Sequence, residues 1–170
     1  SRETLMIPHI DTQMLSALSH SFSHHVKTYS LSAVGTGMKA VTTCGSHDVI
    51  VDQAVQSGGT DLGANPLETV FAGLLGCEQA TAMYIAMQEK LDIQGIDWSL
   101  TSDIDVGGFL GLPDASPQAY KTLNVEGVVS GNVTDEQLEH LCHAVHDRCP
   151  VASLFGHAED IDFTMTMRRK

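Results

Sequence analysis

The segment that most restricts this chain is NPLETVFAGLLGCEQATAMYIAMQEK, residues 65 to 90. Asn65 is a strong N-cap, Pro66 fits the first helical position, and Glu68 falls where its carboxylate reaches back to the cap amide. The pattern predicts a helix from Pro66 to about Lys90. Its first half, LETVFAGLLGC, is apolar on nearly every side, so burial all round is expected. Ala72, Gly73, Gly76 and Ala80 are small and spaced so that another backbone can come close. Each glycine costs about 1 kcal/mol relative to alanine inside a helix, so the pair demands a packing or functional reason. One subunit of 170 residues would struggle to cover such a helix on every side. A homodimer that shares its helices is the simplest remedy.

The rest of the chain reads mostly as strands. TYSLSAVGTGMKAV carries a Gly-rich turn, HDVIVDQ follows, and AVQSGGTDLGA is a loop. IDWSLTSDIDV sets Trp98, Leu100, Ile104 and Val106 against a face of Asp, Ser and Thr, the alternation of a half-buried strand. YKTLNVEGVVSG alternates again, with Leu123, Val125 and Val129 on one side. Thr134 and Gln137 make a capping box for a second helix, whose inward stripe is Leu138, Leu141, Cys142 and Val145. Pro150 disfavours helical geometry at Cys149 and ends it. IDFTMTM is a last alternating strand. Strands, helix, strands, helix, strand is the order of an α+β fold with a mainly antiparallel sheet. Residues 1 to 27, rich in His and Ser, read as an arm or short helix, and residues 28 to 170 as a single domain.

Charge narrows the partners. The net charge is −12, and only nine Lys and Arg are present, three of them in the terminal Arg168, Arg169 and Lys170. Nucleic acid needs clustered cations, so it is not an expected partner. No run reaches the roughly eighteen continuous apolar residues of a membrane span. The opening SRETLMIPHIDTQ lacks a basic segment followed by an apolar one, which reads against a signal peptide. The four cysteines, Cys44, Cys77, Cys142 and Cys149, are too few for a disulfide scaffold in a chain this long. A cytosolic protein with reduced thiols is expected.

Two of these thiols have unusual settings. Cys77 is mid-helix in an apolar stretch, and Cys149 stands at a helix exit in RCPVASLF. Together, NPLETVFAGLLGC and CPVASLF resemble the OsmC/Ohr family, and GTGMKAV and HDVIVDQ fit that family's N-terminal hairpin. The resemblance runs in order over residues 28 to 168. It implies an intertwined α+β homodimer with central helices between two sheets. It also implies a thiol-dependent hydroperoxide reductase in which Cys77 is peroxidatic and Cys149 resolves it into a disulfide. No bound cofactor is implied; electrons would come from an external dithiol, lipoylated proteins in some members.

The chemistry requires a thiolate at Cys77, with its pKa brought below about 8.5. Burial alone works the other way. The helix dipole fades within the first turn, and Cys77 lies three turns in. A cation or strong donor is therefore needed. The family's peroxidase branch uses a hairpin Arg and a Glu ten residues before the cysteine. This chain has Leu67 at that Glu position and Glu68 one residue later, about 100° round the helix. Lys39 is the nearest hairpin cation, without the planar fork of Arg. Glu68 and Lys39 are thus the candidates for setting the local electrostatics, although the capping box alone explains Glu68 and a surface position alone explains Lys39.

Two alternatives stand beside this reading. In one, the dimer binds a small apolar or thiol-reactive ligand, or senses oxidants, without turnover. In the other, Cys142, His146 and Cys149, spaced i, i+4, i+7, hold zinc with His157 as a fourth ligand. Core packing is the simpler account of Cys142, and a favourable helix C-terminal position that of Arg148.

Overall fold

A computed structural model describes residues 26–116 and 119–170. The arm or short helix expected over residues 1 to 27 lies outside the described residues except for its last two positions. The chain then forms strands β1 (Ser32–Thr36), β2 (Lys39–Cys44) and β3 (His47–Val51). They pair as an antiparallel three-stranded meander. Its two tight turns place Gly37 and Gly45 at φ of 61° and 64°, a left-handed region open to glycine at no steric cost. Val34, Met38, Val49 and Ile50 of this meander are exposed.

A loop pinned by buried Asp52 leads into the first helix. The Asp52 carboxylate accepts hydrogen bonds from the Gln53, Thr60 and Leu62 amides and from the Thr60 hydroxyl. The Thr60 hydroxyl, with help from the three amides, holds its pKa below the usual value.

Helix α1 spans Pro66–Glu89 and starts as its sequence predicts. The Asn65 side chain accepts from the Glu68 amide at 2.9 Å, and Glu68 Oε2 accepts from the Asn65 amide at 2.8 Å. The expected all-round burial is not met within one chain. Leu74, Glu78, Ala82, Ile85 and Ala86 form a buried stripe, while Val70, Gly73, Gly76, Ala80 and Tyr84 face outward. A single domain covers one side of a helix, and the described residues leave the rest of α1 exposed or half-exposed. By length and composition α1 would also suffice to cross a membrane, which counting continuous apolar residues does not detect.

The second sheet contains β4 (Asp92–Ile104), β5 (Tyr120–Asn132) and β6 (Asp162–Arg169), in that order. β4 and β5 are antiparallel, with Trp98 opposite Gly127. β6 runs parallel to β5, the one parallel pairing among otherwise antiparallel described strands, as the mainly antiparallel expectation allows. The cause is the connection: helices α2 (Asp135–Arg148) and α3 (Ala152–Gly156) intervene, and a helical crossover returns the chain to the same end of the sheet. α2 opens with the Thr134 and Gln137 capping box.

Two adjoining cores fill the space between this sheet and the helices. One gathers Ala82, Ile85, Val129, Leu138, Leu141 and Val145. The other gathers Leu74, Leu123, Val125, Cys149, Ala152 and Phe155. Polar ties set the helices in register. Trp98 Nε1 donates to Gln79 Oε1 at 2.7 Å, joining α1 to β4. Arg148 donates to Gln88 at 2.9 Å and lies 5.8 Å from the Tyr84 ring centre, joining the two long helices.

Candidate functional site

Cys77 and Cys149 meet where α1 passes the end of α2. Pro150 forces Cys149 out of helical geometry, and it caps α2 at φ −75° and ψ 113°. That bend turns its side chain into the second core, where it is fully buried. Its sulfur accepts from the Ala152 amide at 3.4 Å, and Cys77 packs against the same core cluster. Burial pushes the Cys149 thiol up; the Ala152 amide opposes this, and Cys77 beside it raises it further. Cys149 therefore favours its protonated, thiol form. Cys77 itself is half-buried.

Aromatic rings wall this layer. Phe71 meets Tyr120 edge-on at 6.3 Å between centroids, Tyr120 meets Phe155 at 6.0 Å, and Phe155 meets Phe163 at 6.4 Å. One buried carboxyl, that of Glu78, lies on the buried stripe of α1. Glu78 has no exposed surface, and neither of its oxygens has a hydrogen-bond partner. Burial raises its pKa from 4.5 to about 7. Sequence patterning passed it over, although a lone acid on a stripe shared with Leu74, Ala82 and Ile85 was a visible signal.

The other sequence candidates lie elsewhere in the chain. Glu68 is engaged in the α1 cap, and nine residues separate it from Cys77, about 13 Å at the helical rise. Lys39 begins β2 in the first sheet, which does not pack extensively on α1. The zinc trio does not converge. Cys142 donates to the Met165 carbonyl at 3.5 Å, His146 packs on Phe163 at 5.4 Å, and Cys149 faces Cys77. Among the described residues no three His, Cys, Asp or Glu side chains are grouped to hold a metal.

Clefts indent the surface away from the thiol pair, among them two that flank the helices. One of about 500 Å³ lies at the start of α1, between Leu67, Ile104, Val106 and Phe109. Another of about 360 Å³ follows α2 and β6 past Cys142. Cys77 lines neither.

The sequence matches the family described as OsmC-like protein over residues 58–164. No curated protein matches it significantly. Among solved structures, an OsmC-like protein from Mycoplasma pneumoniae is 17% identical, with a TM-score of 0.73 over 84% of this chain and 97% of that one. An organic hydroperoxide resistance protein OsmC from Legionella pneumophila is 16% identical, with a TM-score of 0.63 over 85% and 98%. The organic hydroperoxide resistance protein OhrB of Bacillus subtilis is 18% identical, with a TM-score of 0.56 over 84% and 98%. At these identities the similarity establishes a shared fold.

Proposed function

The chain belongs to the OsmC-like family, and on that premise we propose that it is a thiol-dependent hydroperoxide reductase acting as a homodimer in a reducing compartment such as the cytosol. The observation that carries this reading is the placement of Cys149 against Cys77 inside an aromatic, apolar layer. The names of the Legionella and Bacillus structures add support. Cys77, as thiolate, attacks the peroxide O–O bond and becomes a sulfenic acid, and an alcohol departs. Cys149, protonated and adjacent, condenses with it to a disulfide and releases water. An external dithiol, of lipoyl type in this reading, restores both thiols. No bound cofactor takes part.

The exposed face of α1 supports the dimer in this reading. A Cβ built on Gly73 or Gly76 meets nothing within 4 Å. Nothing among the described residues, then, accounts for two glycines at about 1 kcal/mol each. A second copy laid along this face would use both. Lys39 and Glu68 do not reach Cys77 within one chain, so any electrostatic role for them acts across that interface. Replacing Gly76 with Leu should leave the circular dichroism of the chain unchanged and shift its sedimentation from dimer to monomer. A dimer that persists in the variant would place the interface elsewhere.

The test of the function is mass-spectrometric thiol mapping before and after one equivalent of an organic hydroperoxide. A fast, specific Cys77–Cys149 disulfide is expected. Should Cys77 stay a free thiol, the reading fails. The non-enzymatic alternative, a dimer that binds an apolar ligand or senses oxidants, draws on Leu67 standing where the peroxidase branch has Glu and on the hairpin's lack of an Arg. It requires a ligand retained in native mass spectra without turnover.

A further inference from the structure

Cys142 has no part in the scheme above. It sits on α2, half-buried, where that helix packs on β6. Its thiol donates to the Met165 carbonyl at 3.5 Å, and the Met167 amide is directed at the same sulfur. The thiol therefore lies at the β6 backbone between two methionines. Met165 and Met167 alternate with exposed Thr164, Thr166 and Arg168, so both side chains leave the strand on one face. Both pack against the core cluster that holds Leu138 and Leu141 of α2. Cys142, Met165 and Met167 line one cleft of about 360 Å³, which opens to solvent. One thiol and two thioethers thus share a single indentation.

A second observation points to a cation there. Glu78 of α1 is fully buried, and neither of its oxygens has a hydrogen-bond partner. Its field acts on Cys142 and, after burial itself, is the next cause that raises this thiol. A field that disfavours a bare thiolate favours a cation at the same sulfur. The basic groups at the mouth of the cleft are already engaged: Arg169 pairs with Asp135 and Arg168 with Glu126. His143 also borders the cleft but is exposed, one position and about 100° round α2 from Cys142.

We propose that the cleft between α2 and β6 is a site for a soft monovalent cation, Cu(I), held by the Cys142 thiolate with the Met165 and Met167 thioethers. Ligand chemistry selects the metal. Thiolate and thioether sulfurs favour Cu(I), whereas structural zinc takes four ligands of the His, Cys or carboxylate kind. Charge agrees: one Cu(I) and one thiolate form a neutral unit, which a half-buried cleft tolerates better than the anion alone. Binding exchanges a proton for the metal. The S–H bond of Cys142 breaks, an S–Cu bond forms, and the proton leaves to solvent through the open cleft. No electron moves, so the metal arrives as Cu(I). This inference does not depend on the peroxidase reading.

The test uses Cu(I) itself, given anaerobically to the full-length Cys77→Ser chain against a chromogenic Cu(I) chelator. With Cys77 gone, the Cys77–Cys149 pair cannot compete for the metal. One Cu(I) per chain is expected, with sulfur alone in its X-ray absorption shell. Adding Cys142→Ser should abolish binding. Met165→Leu and Met167→Leu nearly conserve volume, and each should weaken binding by about tenfold or more, the loss that even outer partners of a metal ligand cause. Binding that survives Cys142→Ser overturns the proposal. So does unchanged affinity in both methionine variants, which would mean a lone thiol taking metal adventitiously. The unsubstituted chain gives a readout that does not rely on the Cys77 variant folding. With two equivalents of Cu(I), mass-mapped alkylation should find Cys142 protected, and Met167→Leu should expose it. Cys142 alkylated equally with and without Cu(I) refutes the site.

Discussion

Replacing Cys77 with serine should lower hydroperoxide consumption by about a thousandfold or more. An alcohol is not ionised near neutral pH and cannot attack the O–O bond as a thiolate does. The companion change, Cys149→Ser, should behave differently. The first equivalent of peroxide is still consumed, because Cys77 still attacks. The sulfenic acid then has no adjacent thiol and moves up the oxidation ladder to sulfinic acid. Stopped-flow peroxide consumption, followed by intact-mass measurement, separates the cases: no added oxygen in the first variant, added oxygens on Cys77 in the second. If the Cys77 variant consumed peroxide at the parental rate, another group would be the nucleophile. If the Cys149 variant cycled normally, Cys149 would not be the resolving thiol, whatever its proximity to Cys77.

Replacing Glu78 with Met should stabilise the fold, and the gain should depend on pH. In the folded chain burial raises the Glu78 pKa from 4.5 to about 7. Between these values the unfolded chain has lost the proton and the folded chain has kept it. Stability then falls as pH rises, because the folded state binds more protons. The penalty begins near pH 4.5 and is complete above pH 7. Its full size is about 3 kcal/mol, from the separation of the two values at 1.36 kcal/mol per pH unit. Met fills much the same volume without a charge, so its advantage should grow by about that amount from pH 4 to pH 8. Denaturant unfolding of both proteins at the two pH values checks this. A difference that stays constant with pH would mean that Glu78 finds a partner on ionising.

The two thiols, the two capping boxes and the alternating strands were legible in the sequence because each signal is local. Asn65 with Glu68, and Thr134 with Gln137, satisfy amides within three residues of themselves. Pro150 ends α2 by acting on its immediate neighbour. Glu78 shows where local reading stops. In sequence it is one charge on a long helix, and only its surroundings reveal that no donor comes near it.

Sequence alone thus determined the two long helices with their starts and ends, the alternating strands, and that Cys77 and Cys149 occupy special positions; the short α3 was not among them. Tertiary structure decided the rest: two separate sheets, the parallel run of β6 beside β5, the one-sided cover of α1, and the meeting of Cys149 with Cys77. It also set Glu68 and Lys39 apart from the thiols and sealed Glu78 among apolar neighbours. The physical reason is range. Capping and periodicity act over one to four residues, while desolvation and thiol proximity depend on side chains that folding brings together from distant parts of the chain.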